Sequence, residues 1–390
     1  MNAAAPVAPG ALDAFSVRIV SGVHAFAAGE WDALFPGEAE SAAYYAACEA
    51  ARPKGFRMAA AGVYRGDRLV AATPLFRIDF RLDMPLQGKL KPIGAWLTER
   101  LPRLMIWPVL GFGSPLAERC HLGFLPELTA EERTAAARAL LAGVEAHARK
   151  EKIGLVAIKD LADPDKLEFD ATIASAGYSR SNSLPVAALD LPFADDAAYL
   201  NSLSSGTRKD IRRKLKAAGR VRIEARREIG DVEGKIKALY AETRSESGLD
   251  YGDFEELPED YFGAVMRALH PNAICMLYWV GDELAAINLL LIEKDRVIDK
   301  FIGMRYALSR EHNLYFISWM ENVRFCIAQG VGRLQTGQTA YAAKLRLGSR
   351  LLKSHIYFRH RNPVANGLLR LLSRFIAFDQ MDPDLKGREL

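Results

Sequence analysis

Hydrophobic and polar positions along the chain switch repeatedly between two periods. FRMAAAGVYRGDRLVAATPLFRI (56–78) reads as two apolar strands that meet at Arg65-Gly66-Asp67, a hairpin turn signal. TAEERTAAARALLAGVEAHARK (129–150) changes to helical spacing: Thr129 and Glu132 make a capping box, and Leu140, Leu141, Val144 and Ala148 share one face. IGLVAIKDL predicts a short buried strand, FDATIASAGYS a helix ending near Gly177, and SLPVAALDL another strand.

The second half repeats that order. DVEGKIKALYAETR sets Val232, Ile236, Leu239 and Thr243 on one helical stripe. NAICMLYWVGDELAAINLLLIEKDRVIDKFIGM predicts three strands with turns at Gly281-Asp282 and Lys294-Asp295. A helix from about Asn313 to Gln329 carries Ile317, Met320, Val323 and Ile327, and VGRLQTG and SHIYFR are further strands. The run Gly66-Asp67-Arg68-Leu69-Val70-Ala71-Ala72 lines up with Gly281-Asp282-Glu283-Leu284-Ala285-Ala286. Gly-Asp is a common turn, but the shared element order favours a duplication. The expected architecture is α/β with mixed sheets in two tandem domains. Their expected bounds are 15–192 and 196–365, after a disordered tail (1–14) and before a C-terminal amphipathic helix and tail (366–390). The boundary falls in the polar stretch Pro192 to Ala198.

Composition narrows the function classes. The 390 residues are half hydrophobic and 26% charged, which suits a globular protein with a sizeable core. A net charge of +4 excludes a polycation, so any basic segment acts locally. Cys48, Cys120, Cys275 and Cys326 stand far apart with no CxxC pair and read as reduced core thiols. The first fourteen residues lack a basic start and a continuous apolar run, so they do not read as a signal peptide. LPRLMIWPVLGFGSPLA (101–117) is interrupted by Arg103, Pro108 and Gly111, too broken for a spanning helix. The expected location is cytoplasmic, with peripheral contact at the inner face of the membrane as an addition.

The absent motifs are informative. No GxxxxGK[ST] and no GxGxxG opening a helix occurs, the GFGSP at 111–115 is not a nucleophile elbow, and the histidines make no HExxH. A metal site is not expected. Two stretches remain. SLSSGTRKDIRRKLKAAGR (202–220) gathers Arg208, Lys209, Arg212, Arg213, Lys214, Lys216 and Arg220 against Asp210 alone. Ile211 and Leu215 face inward, so the run is either a solvated amphipathic helix or, with the preceding hydroxyls and the helix N-terminus, an expected anion site. LQTGQTAYAAKLRLGSR (334–350) releases Gln338, Thr339, Tyr341 and Lys344 beyond a glycine at the end of a buried strand, as many α/β sites do.

The second half, with R-K-D-I-R-R-K-L at its start and T-G-Q-T-A-Y-A-A-K-L-R-L-G after a helix and strand, resembles the Fem-type and related GNAT-like acyltransferases. Arg208, Ile211, Arg212 and Arg213 match the Arg-rich helix of that family, and Gly337, Tyr341 and Lys344 match its Gly-containing strand and the Tyr and Lys that follow. The likeness covers about residues 196 to 360, and residues 15 to 190 in element order, with Gly113-Ser114-Pro115 resembling a turn of the first domain. It implies two GNAT-like domains and transfer of an acyl group from an acyl-CoA thioester to an amine. Acyl-CoA is then a co-substrate, with no tightly bound cofactor. One departure stands out: the loop that in an ordinary GNAT domain cradles the coenzyme A pyrophosphate is here LSREHNLY (308–315), without glycine. Arg310 and the free N–H groups at the helix start are the remaining phosphate ligands, and an aminoacyl-tRNA donor, as in the Fem-type branch, is the alternative.

The resulting site assigns Arg208, Arg212, Gln338 and Lys344 to substrate, and Arg310 and Gly337 to the donor. Asp299, an acid within an apolar strand, is the candidate base, and Tyr341 the proton donor to the leaving group. The acceptor is an anionic small molecule or a lipid amine, with tRNA as a possible partner and DNA not expected. Rival classes are an RNA or anion binder without catalysis and an acyltransferase acting on a long-chain amino-lipid at the membrane surface. Residues 201–230 contain no aromatic for base stacking, which weighs against RNA. LLRLLSRFIAF, with Arg370 and Arg374, is an apolar stripe suited to an interface or to packing on the core.

Overall fold

The computed structural model describes residues 15–84, 91–216, 218–246, 254, 256–373 and 382–385; the expected tail over 1–14, and Arg374 with the residues up to 381, lie outside them. The chain forms two compact units. The first comprises Met1–Glu49, Pro53–Ser183 and Lys353–Met381, and the second Ala50–Arg52, Leu184–Leu352 and Asp382–Leu390.

In the first unit β1 (Ser16–Val20) is followed by α1 (Ala28–Asp32) and α2 (Ala42–Ala50), then by the hairpin β2 (Phe56–Arg65) and β3 (Arg68–Arg81). Next come α3 (Lys91–Arg100), α4 (Pro102–Met105), β4 (Ile106–Phe112), β5 (Gly123–Phe124) and α5 (Ala130–Lys150). β6 (Leu155–Ala162), α6 (Asp163–Ser175) and β7 (Ser179–Asn182) complete this part. The capping box at the start of α5 is made on both sides: the Glu132 N–H donates to Thr129 Oγ1 (3.2 Å) and the Thr129 N–H to Glu132 Oε2 (2.9 Å).

The second unit opens with β8 (Val186–Asp190), α7 (Asp196–Ser202), α8 (Ser205–Leu215) and β9 (Val221–Arg226). α9 (Glu233–Glu246) and α10 (Tyr261–Ala268) precede the meander β10 (Ala273–Val280), β11 (Glu283–Ile292) and β12 (Val297–Met304). α11 (Tyr306–His312), α12 (Leu314–Ala328), β13 (Arg333–Gly337), α13 (Tyr341–Arg346) and β14 (Arg350–Leu352) follow. The chain then returns to the first unit with β15 (Ser354–His360) and α14 (Pro363–Ser373).

The strand orders reveal two versions of one sheet. The first is β1-β2-β3-β4-β6-β15-β7 and the second β9-β10-β11-β12-β13-β8-β14. Both are antiparallel except at one step, where β4 pairs parallel with β6 and β12 with β13. The two hairpins carry the same irregularity: the register slips between Val63 and Tyr64 in one and between Tyr278 and Trp279 in the other, two residues before the turn glycine in each case. Gly66 (φ 61°) and Gly281 (φ 59°) both sit in the left-handed region that a tight hairpin turn demands. These are two mixed α/β domains built on one strand order.

The strand SHIYFR, which element order assigns to the second half, is placed otherwise. β15 lies in the first sheet, with His360 opposite Leu155 and His355 opposite Asn182, while β8 pairs with β13 and β14 in the second. The alternation of apolar and polar residues says that 354–360 is a strand but not which neighbours it takes. The division therefore runs through Ser183–Leu184 and again through Leu352–Lys353 rather than once near residue 192.

In the second unit the core lies between the sheet and helices α7, α8 and α12, and includes Tyr199, Ile211, Ile317, Met320, Val323 and Leu334, all buried. All four cysteines are buried, and none is in a disulfide. The strand placement has a direct consequence for fragments. A fragment of residues 1–192 leaves β6 and β7 without the strand that joins them, so near-UV circular dichroism and dye binding should report a loose, aggregating species. A 1–192 fragment that unfolds cooperatively would contradict this pairing.

Candidate active site

The divergence of β12 and β13 creates the most unusual feature of the second sheet. Their parallel ladder consists of Val297 with Leu334 and Ile298 with Gln335, after which β13 leans to β8 and β12 continues along β11 to Met304. At that fork β12 also bulges: Asp299 stands opposite Leu290 and Phe301 opposite Leu289, so Lys300 is the extra residue. A bulge re-aims side chains where a ladder ends.

Asp299 is half-buried and held at both oxygens. The Asn288 side-chain amide on β11 donates to Oδ1 (2.9 Å) and Oδ2 (3.0 Å), and that of Asn322 on α12 donates to Oδ2 (3.0 Å). Both asparagines are buried, as a carboxylate enclosed in an apolar core requires. Around them, the amide oxygens of Asn288 and Asn322 and the hydroxyls of Tyr278 and Tyr315 are buried without a hydrogen-bond partner. Burial, and then the Asp299 charge, push the Tyr278 and Tyr315 phenols well above their usual value and the Cys326 thiol up to about 12. All three therefore stay neutral beside one negative group.

The first unit has no equivalent. There β4 and β6 pair over four positions, Val109–Phe112 against Leu155–Ile158, β3 and β4 pair without a register shift, and IWPVLGF carries no acid. The fork with its carboxylate belongs to the second unit.

Of the residues expected at the site, Asp299 and Gly337 lie on the two strands that part. Gly337 ends β13 with φ 73°, and Thr339 (φ 65°) and Ala340 (φ 49°) follow it into the left-handed region. Non-glycine residues there cost of the order of 1–3 kcal/mol each, so the loop must be held from outside. Lys344 does this. Its buried ammonium donates to the carbonyls of Thr336 (2.5 Å), Gly337 (3.1 Å) and Gln338 (2.9 Å), which corrects its expected role as an anion holder.

Tyr341 and Gln338 need the same correction. The Tyr341 hydroxyl donates to the Pro185 carbonyl (2.8 Å) and its side chain is fully enclosed, a placement that does not suit a proton donor to a leaving group. The Gln338 amide donates to the Leu184 carbonyl (2.9 Å), so it anchors the segment leading into β8 rather than a substrate. Arg208 is likewise committed, donating to the carbonyls of Asn201 (3.2 Å) and Leu203 (3.3 Å) at the end of α7.

The basic helix is more neutralised than its sequence implies. Asp210 pairs with Arg213 (2.7 Å), Lys214 (3.0 Å) and Arg346 of α13 (2.5 Å), and these contacts hold its carboxyl far below the usual range. Lys214 also lies over the Phe316 ring of α12, 3.4 Å from its centroid. Ile211 turns inward as expected, while Lys209, Arg212, Arg213 and Lys216 are exposed. Arg310 is exposed on α11, its guanidinium 5.9 Å from the Tyr306 ring. At the start of that helix the Tyr306 N–H donates to Glu242 Oε1 (2.8 Å), whereas the helix start expected to receive phosphate is that of α12, which follows Asn313 (φ 56°).

Sequence reasoning missed Asn288, Asn322, Tyr278 and Tyr315. The one available signal was an amide in the middle of the apolar run LAAINLLLI, which a buried strand tolerates only with a partner.

Residues 205–345 match a family model described as "Acetyltransferase (GNAT) domain". The chain is similar in structure to a crystal structure of FemX, at 14% identity and a TM-score of 0.56, covering 89% of this chain and 98% of that one. It is also similar to a tandem GNAT protein from the clavulanic acid biosynthesis pathway, at 14% identity and a TM-score of 0.50, covering 89% and 99%. No curated protein matches it in sequence. Residues 205–345 of the second unit thus carry an acetyltransferase (GNAT) domain, and the chain shares its tandem fold with FemX and the tandem GNAT protein.

Two outcomes follow from the side chains that frame the fork. Lys344→Met strands three carbonyls and should cost about 2–4 kcal/mol, read as a lower midpoint in denaturant unfolding; an unchanged midpoint would deny the staple. Because the folded-state pKa of Asp210 is depressed, its contribution is fully present above the usual 3.8 and is lost only as pH falls through the lower folded value. Asp210→Asn should therefore lower stability at neutral pH and reduce its decline on acidification below pH 3.8, measured as the midpoint against pH.

Proposed function

We propose that the second unit transfers an acyl group from an activated donor to an amine, with Asp299 as the base that takes the amine's proton. The observation that supports this reading best is the carboxylate at the fork of β12 and β13, aimed by two buried carboxamides. The donor carbonyl would lie along the parting edge of β12, where a backbone N–H polarises it. The amine nitrogen attacks the carbonyl carbon, Asp299 takes its proton, and the tetrahedral intermediate collapses with loss of the leaving group. No covalent enzyme intermediate is needed.

The first reading of the donor is an acyl-CoA thioester. With Tyr341 enclosed, the leaving group departs without the expected acid, and a thiol, whose ordinary pKa is about 8.5, needs the least help. A second reading, aminoacyl-tRNA, is favoured by the 308–315 stretch ahead of α12, which lacks the glycines that would let a backbone close on the coenzyme's pyrophosphate. In that case the exposed Lys209, Arg212, Arg213 and Lys216 would meet the polyanion, and binding would fall steeply with salt. The acceptor is an amine on a small molecule, a lipid or a peptide.

Thiol release from a panel of acyl-CoA esters, with amines as acceptors, separates the two donors from deacylation of aminoacyl-tRNA. With the productive donor, Asp299→Asn should lower kcat by about 10²–10⁴ while KM changes by no more than a few-fold. Unchanged turnover would remove Asp299 from the chemistry. Inactivity of the parent chain with both donor classes would overturn the transfer reading itself.

A further inference from the structure

Every large hydrophobic side chain that stands exposed among the described residues lies in one of two helical stretches of the first unit, 93–104 and 364–372. Trp96 is 55% exposed and Leu104 64% in the first stretch, and Val364 is 79%, Leu368 50% and Leu371 53% exposed in the second. Val364, Leu368 and Leu371 follow helical spacing, so α14 carries a continuous apolar stripe. None of its residues is buried, which rules out the ordinary role of a terminal helix packed on the core.

The two stretches belong to one surface. Leu155 of β6 is the register partner of both Val109 of β4 and His360 of β15, so α4, which runs into β4, and α14, which follows β15, leave the sheet at the same end. Trp107 joins them: its indole N–H donates to the Leu104 carbonyl (2.9 Å), and its ring lies 4.9 Å from that of His360. The His360 N–H in turn donates to the Asn366 side chain of α14 (2.9 Å).

The two stretches are predominantly basic. Over 91–104 and 361–373 the chain carries Lys91, Arg100, Arg103, Arg361 and Arg370 against the single acid Glu99. The Arg100 guanidinium reaches over the Trp96 ring, 5.9 Å from its centroid, an apolar ring beside a cation.

We propose that α3, α4 and α14 form a docking surface for a bilayer of anionic phospholipid. Leucines and a tryptophan flanked by arginines suit the boundary between acyl chains and headgroups: the apolar groups enter the boundary and the guanidinium groups reach the phosphates. A second copy of the chain fits less well, because a two-fold contact sets the same five cations against themselves. The surface lies wholly in the first unit and does not depend on the chemistry assigned to the second.

Flotation of the full chain with phosphatidylcholine vesicles, with and without phosphatidylglycerol, tests it. The parent should float with the anionic vesicles, less with neutral ones, and progressively less as salt is raised. Leu104→Glu combined with Leu368→Glu should cut anionic-vesicle binding at least about tenfold, with an unchanged thermal midpoint because both sites are exposed. Arg103→Gln with Arg370→Gln, which keeps the apolar stripe, should remove the preference for phosphatidylglycerol. A parent chain that stays unbound with anionic vesicles would overturn the proposal, as would equal binding by the parent and the leucine double variant. So would a concentration-dependent dimer, abolished by that double variant, in a chain that ignores vesicles.

Discussion

Backbone N–H and C=O groups inside a sheet must all find partners, and that requirement routes this chain. β6 and β7 cannot close against each other; β15, more than 170 residues beyond β7 in the chain, supplies the ladder on both of their edges. β8, which directly follows β7, pairs instead between β13 and β14. Each sheet is therefore completed by a strand whose predecessor in the chain belongs to the other unit. This is a matter of topology rather than of local preference, and neither unit is a contiguous piece of sequence.

The same need for satisfied polar groups builds the fork in the second sheet. Once β13 turns toward β8, its last carbonyls lose the regular ladder, and Lys344 collects three of them on one ammonium. The strained turn through Thr339 and Ala340 is tolerable because that clamp, the Tyr341 hydroxyl and the Gln338 amide tie it down. With β13 held aside, Asp299 stands on the opposite strand in a half-buried position where the Asn288 and Asn322 amides donate to its carboxylate. The residues that looked like ligands are thus the frame, and the frame leaves the carboxylate in place.

Comparison of the two sheets separates ancestry from activity. Both hairpins slip register at the same point before the same glycine, and both sheets make their single parallel step at the same place in the order. They differ where the second forks: four aligned pairs without a bulge in one, two pairs beside a bulge in the other. In the first unit the strand equivalent to β12 carries no acid, and apolar and basic side chains are left uncovered on the surface of α3, α4 and α14.

Much of this was legible in the residues alone. Period-two and period-3.6 patterns identified β2, β3, β6, β8, β10 to β13 and β15 and the α5 and α12 helices, the capping box placed the start of α5, and the Gly-Asp echo pointed to two related domains. An acid in the apolar run RVIDKFIGM marked Asp299 without any neighbour being known. These signals are local: burial on one face, a cap, or a turn acts within a few residues. The partners of Lys344, Tyr341, Gln338 and Arg208 could not be read this way, because each is a backbone carbonyl, and every residue has one. The neutralisation of Asp210 by Arg346 crosses 136 positions, and the exchange of β8 and β15 crosses more. Sequence determined which segments are helices and strands and which side chains are chemically unusual. Only the tertiary structure decided which of those side chains hold the chain together and which one faces the fork, since that depends on which backbone groups are left unpaired when the sheets close.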